Sequence, residues 1–284
     1  MAVIAEGTAK NISTRGAVRP TVTDWAAGAW LIAAIAGQLA FAAYLVGFYA
    51  FPALLGNVEA WNANIMLSQP PVQPGAPDAT FAFGVHAIGA AVIAVMGGLQ
   101  LIPQIRNRFR TFHRWNGRAF LLIVLALTVS GYYLTWFRGS PPSSFSEFGT
   151  SVNGVLILGF AAMAVTTAMR RKFDDHERWA VRLFLVSGAQ WFVRIGGFGY
   201  FVAMQALGFE VPFDGGFFQF WIWGSFLVPL ALAELYFRTR AVQSLPVRWF
   251  SALVFFVATP MTLFGSFTFS MFTVQLMTGG LGAS

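Results

Sequence analysis

Only 10% of this 284-residue chain is charged and it contains 3 histidines, so every ionisable side chain is a candidate for chemistry. His113 and His176 each stand just upstream of one copy of the pattern Arg-Trp-x-x-Arg-x-Phe-Leu, which begins at Arg114 and again at Arg178. Residues four apart share a helix face, so Arg114 with Arg118, and Arg178 with Arg182, can clamp a phosphate or carboxylate. The competing reading is plain anchoring, with guanidinium on lipid phosphate and indole at headgroup level. Two imidazoles at matching helix ends can also ligate a b-type haem axially, which makes His113 and His176 candidate haem ligands, although both fall at or beyond the expected edge of the hydrocarbon. Arg118, Arg182 and Glu234 share their depth and complete a polar cluster. Glu234 needs a cation or a proton in such a place, so an ion pair with Arg118 or Arg182 competes with a proton-accepting role.

A second set of polar residues falls at the other end of the same spans. Ionisable groups within a membrane span are costly and usually face a bundle interior, which marks His86 and Arg194. Arg194 lies about 22 Å along its helix from Trp179, and His86 about 12 Å in from Asp78 on the opposite side, which gives them one depth. His86, Ala90, Ala94 and Gly98 form a stripe at intervals of four, and Ser187, Gln190, Arg194 and Gly197 a polar one, both expected to face inward. Tyr132, Tyr133 and Asn153 reach this layer too. His86, Arg194, Tyr132 and Asn153 are therefore the candidate ligand-binding set, suited to an anionic or redox-active molecule. The bland alternatives are a snorkelling arginine and a histidine bonded to a backbone carbonyl.

The elements that carry these residues follow from composition. The chain is 57% hydrophobic and 17% aromatic, and about 20 apolar residues are needed to cross a bilayer. Such stretches occur at 25–51, 81–103, 119–137, 152–169, 179–207, 217–236 and 249–272. None alternates with period two, which favours helices over a barrel. The expected fold is an all-α polytopic membrane helix bundle with seven transmembrane helices. Of the 18 cations, all but Arg138 and Arg194 fall before the first span or in alternate links. The positive-inside rule then puts the N-terminus in the cytoplasm and the C-terminus outside. Residues 1–24 form a cytoplasmic tail without a signal peptide, 25–272 the transmembrane domain, with 81–207 as two related helical hairpins, and 273–284 an extracytoplasmic tail. Topology accounts for the net charge of +7 without nucleic acid. The Pro- and Asn-rich link at 56–80 is placed to cap the outer mouth of the bundle, and Pro229 and Pro260 predict kinks.

The segments "GGLQLIPQIR", "HRWNGRAF" and "HERWAVRLF" resemble the bacterial multi-pass family catalogued as domain of unknown function 2306, over roughly residues 81–194. After the second histidine that family carries a Trp-Met-x-Arg stretch where this chain has "RWAVR". The resemblance implies an integral protein of the bacterial cytoplasmic (inner) membrane with unassigned biochemistry.

Several chemistries drop out. With 0 cysteines there are no disulfides, thiolate ligands or iron–sulfur clusters. No lysine follows Lys172, so the last span cannot form a retinal Schiff base, and a three-histidine zinc site would need His86 on the other side. The remaining readings are a redox or ligand-binding protein using haem or quinone, an accessory or scaffold subunit associated with other membrane subunits in the lipid bilayer, and a carrier or channel for a small anion.

Overall fold

A computed structural model describes residues 20–64, 67, 69–138, 143–212 and 215–279. Most of the expected N-terminal tail and the last residues of the C-terminal one lie outside them. The described chain is all helical: α1 (Val22–Leu45), α2 (Phe51–Leu54), α3 (Pro77–Leu101), α4 (Pro103–Arg108), α5 (Arg110–Trp136), α6 (Ser144–Met169), α7 (Phe173–Ser187), α8 (Ala189–Ala206), α9 (Gly216–Thr239) and α10 (Leu245–Met277). Among the described residues 6 helices are long and apolar enough to cross a membrane, the first being α1 continued through α2 as Val22–Leu54.

Local chemistry sets the boundaries. Thr21 and Asp24 form a reciprocal capping box that starts α1. Pro103 has no N–H to continue α3 and forces Ile102 to an extended ψ of 114°, so the second stretch stops at Leu101 and α4 begins afresh. Pro229 and Pro260 sit inside α9 and α10.

The fifth expected span is the one that differs. It is divided at Gly188 into α7 and α8, neither of which qualifies alone as a crossing helix. Where a Cβ on Gly188 would stand, Gln38 Nε2 of α1 lies 2.8 Å away, and the ring of Trp191 comes within 2.4 Å of a Cβ built on the neighbouring Gly37. The break therefore coincides with a place where α1 presses close on the rod.

The basic links gather at one end of the bundle. Arg106 bonds Glu177 at 2.6 Å and ties the two hairpin turns together. Thr23 Oγ1 donates to Arg248 O at 2.9 Å, and Tyr236 donates to Asp24 at 3.1 Å. At the other end Tyr133 donates to Asp78, and Ser143 to Gln219 at 3.2 Å. The rod made by α7 and α8 runs between these ends: Arg182 meets Glu234 at the basic end, whereas Phe198 packs on Phe272 with ring centroids 4.7 Å apart.

The repeated pattern acquires a structural meaning. In each copy the second arginine lies over the tryptophan three residues before it, Arg118 at 5.0 Å from the Trp115 ring and Arg182 at 4.5 Å from Trp179. The phenylalanines of the two copies, Phe120 and Phe184, are buried and converge on Gly97 of α3, within 3.2 Å and 2.8 Å of where its Cβ would be. The repeat thus joins two helix starts to one small-residue contact.

Candidate functional site

A cavity of about 140 Å³ lies in the half of the bundle away from the basic turns, enclosed by α1, α3, α5, α6 and the α7–α8 junction. His86, Arg194, Tyr132 and Asn153 all line it, so four residues distant in sequence share one space. Ser187 and Gln190, from the polar stripe on the broken rod, line it as well. Most of the remaining wall is apolar, including Phe41, Leu45, Phe83, Ile93, Leu127 and Ile157.

Each polar group is held by a partner that leaves some capacity unused. Arg194 Nη1 donates to Gln190 O at 2.7 Å and to Gln190 Oε1 at 3.2 Å, and the guanidinium lies 5.2 Å from the Phe41 ring centroid. Among the described residues no carboxylate pairs with it. An arginine has five N–H donors, so Arg194, which lines the cavity, has donor capacity beyond its two bonds to Gln190.

His86 Nδ1 lies 3.2 Å from Ser130 Oγ, and Ser130 donates to Leu127 O at 3.1 Å. Committing the hydroxyl proton to that carbonyl assigns the ring proton to Nδ1, which then donates to Ser130 and leaves Nε2 as an acceptor. Gly131 makes room for this ring, since a Cβ there would lie 3.2 Å from His86 Cε1.

Tyr132 donates to Ser151 O at 2.8 Å, over Gly154, where a Cβ would stand 2.8 Å from the phenol oxygen. Asn153 Nδ2 donates to Val186 O at 3.2 Å, and its Oδ1 is buried with no partner among the described residues. A buried amide oxygen left unpaired costs about 1–3 kcal/mol.

The link between the first two spans folds back onto this end. Its 3₁₀ turn Val58–Ala63 buries Trp61, which donates from Nε1 to Tyr49 O at 3.0 Å and packs on Gly84. Asn64 donates to Tyr44 Oη at 3.1 Å and to Tyr49 Oη, and Leu67 reaches the cavity wall. The tyrosines are brought together by a π-helical turn at Val46–Ala50, whose wider i→i+5 spacing swings residues five apart toward one side. This cluster was not singled out from sequence, and neither was Gln38, whose buried Nε2 has no partner among the described residues. Pro52, two residues past the π segment, is a sequence cue to it.

The basic-end residues form a different arrangement, apart from the cavity. Glu234 pairs with Arg182 at 2.6 Å, and Arg118 takes no part in that pair. His176 Nδ1 lies 2.9 Å from Ala164 O, to which it donates. His113 Nδ1 is buried without a partner among the described residues, while its backbone carbonyl accepts from Gln100 at 2.9 Å. His113 and His176 sit on α5 and α7, and neither lines the cavity. Among the described residues no cluster of three or more His, Asp or Glu is arranged to hold a metal ion.

Residues 83–237 match the family described as predicted membrane protein (DUF2306), which is more than half of the chain. The chain belongs to this family. The DUF2306 region takes in both copies of the repeat and His86, Tyr132, Asn153, Arg194 and Glu234, and leaves α1 and α10 outside. It is a family of membrane proteins of unknown function, as the histidine-Arg-Trp segments implied. No curated protein and no solved structure matches the chain.

Proposed function

We propose that this protein crosses the bacterial cytoplasmic membrane seven times, basic turns inside, and binds a small ligand of the quinone–quinol class in the cavity. The observation that carries the reading is Arg194, a guanidinium inside an apolar bundle, without a carboxylate partner among the described residues and open to a cavity. Such a cation is costly in a membrane and usually serves a ligand or ion. The volume supports a single ring: an apolar protein cavity of about 150 Å³ takes up benzene, close to the 140 Å³ here. A tetrapyrrole is several such rings, so the cavity fits a quinone better than a haem. An oxygen of the ring accepts from Arg194, and a hydroxyl donates to His86 Nε2.

The test is to extract the purified protein with organic solvent and identify what comes out by mass spectrometry. A redox-active aromatic ring recovered near one equivalent from the wild type, and lost from Arg194→Gln at unchanged thermal stability, is the expected outcome. Equal recovery from the two proteins would sink the reading. The same extract tests haem on His113 and His176: a Soret band lost in His113→Ala or His176→Ala would establish it.

The unpaired Arg194 also favours a second reading, a carrier or channel for a small anion. Chloride or phosphate flux in proteoliposomes that is abolished by Arg194→Gln would move the assignment there.

A further inference from the structure

A groove of about 390 Å³ lies between α5 and α6 in the half of the bundle nearer the basic turns. It is lined by Leu121, Val124, Leu125, Leu158, Val165 and small residues of α6, and its one hydroxyl, on Thr166, is bonded to Ala162 O at 2.7 Å. Val124 also lines the ring-sized cavity, so the polar pocket and the apolar groove adjoin at one buried side chain. Ile157 on the cavity side is followed directly by Leu158 on the groove side, which repeats the junction on α6.

The two spaces differ in the way that the two halves of an amphiphile differ. The cavity offers Arg194, His86 and an unpaired amide oxygen. The groove offers no free polar group and opens on the flank where Leu125 and Leu158 are exposed to the surroundings of the bundle. Its length along α6, from Leu158 to Thr166, is about 12 Å at the α-helical rise. On the loop side, by contrast, Leu67 stands in the cavity wall and Trp61 packs on Phe83, another lining residue.

Resting on the proposed quinone-class reading of the cavity, we infer that the ligand is a membrane-dissolved amphiphile whose apolar chain lies in the α5–α6 groove, reaching the cavity laterally past Val124. Because the chain is surrounded by apolar matter whether bound or free, the groove adds position more than affinity.

The probe is a 1,4-hydroquinone ring on a decyl chain that ends in a diazirine, photolysed with the full-length protein in lipid nanodiscs and mapped by mass spectrometry. Adducts are expected on residues 121–125 and 158–166, suppressed by excess tailless hydroquinone and reduced at least fivefold in Arg194→Gln. Ala162→Trp, an exposed groove position, should cut those adducts at least fivefold while leaving tailless hydroquinone binding within twofold; Leu125→Trp gives the same readout if that variant folds poorly. Adducts that are competed and Arg194-dependent, yet fall at 58–67 or on other helices, would overturn the groove assignment and leave the cavity reading standing. Adducts spread over all lipid-facing helices without competition would overturn both, and groove adducts that the tailless ring does not suppress would mark ordinary lipid access and overturn the inference.

Discussion

In the proposed site, His86 sets which form of a ring the cavity should prefer. With the ring proton assigned to Nδ1 and used on Ser130, Nε2 would meet the proposed ligand as an acceptor. A hydroquinone can satisfy it, whereas the corresponding dimethyl ether leaves it unpaired, at a cost of about 1–3 kcal/mol. Titrations followed by quenching of the chain's 10 tryptophans should show the hydroquinone binding about tenfold tighter than the ether, by the same principle. His86→Phe should erase that preference, and equal affinities in the wild type would refute the tautomer. A second expectation concerns Tyr132: alanine at Gly154 puts a methyl 2.8 Å from the phenol oxygen and displaces the ring from Ser151 O. Overpacking of this kind costs roughly 1–3 kcal/mol, to be seen as a lower melting temperature in detergent than for Tyr132→Phe. At this scale the sequence was informative where depth alone mattered. Counting residues along rods placed His86, Tyr132, Asn153 and Arg194 in one layer, and they line one cavity. It was silent on Tyr44, Tyr49 and Asn64, because their meeting depends on a π turn and a folded loop that hydropathy does not register.

Among the elements, α8 and α10 approach each other backbone to backbone. A Cβ on Gly265 would lie 2.4 Å from Ile195 O, and one on Gly199 3.4 Å from Gly265 Cα. A carbonyl in a helix cannot rotate aside as a side chain can, so Gly265→Ala must part the two helices. The expected effect is a loss of about 1–3 kcal/mol, visible as a fall in melting temperature. Gly28→Ala is the control: nothing lies within 4 Å of the added methyl, and helix propensity then gives a gain of about 0.5–1 kcal/mol. Equal behaviour of the two variants would show that α8 and α10 do not meet there. The apolar lengths of these elements were legible because hydrocarbon thickness sets them. The division at Gly188 was not, since a hydropathy window averages over one glycine, and it is the side chain of Gln38 on another helix that occupies the space beside it.

For the whole molecule the open quantity is how many times the chain crosses, and the broken rod decides it. Among the described residues six helices qualify by length and composition, and α7 with α8 would make the seventh. A count of seven puts the two ends of the chain on opposite sides, and a count of six puts them together. The charges favour seven, because Arg170, Arg171 and Lys172 precede α7 while Glu210 follows α8. With 0 native cysteines, single-cysteine variants give a clean answer. In intact cells a membrane-impermeant maleimide should label Gln73→Cys and Gly208→Cys and leave Thr111→Cys and Arg171→Cys unreacted until the membrane is opened. Protection of Gly208→Cys together with Arg171→Cys would mean that α7 and α8 turn back on the basic side. In that event Arg194 would not stand at the depth of His86, and the cavity they share would have to be rebuilt around a different axis. Labelling at Gly208→Cys alone of the two fixes the rod across the bilayer and, with it, the layer in which Arg194, without a carboxylate partner among the described residues, lines the cavity.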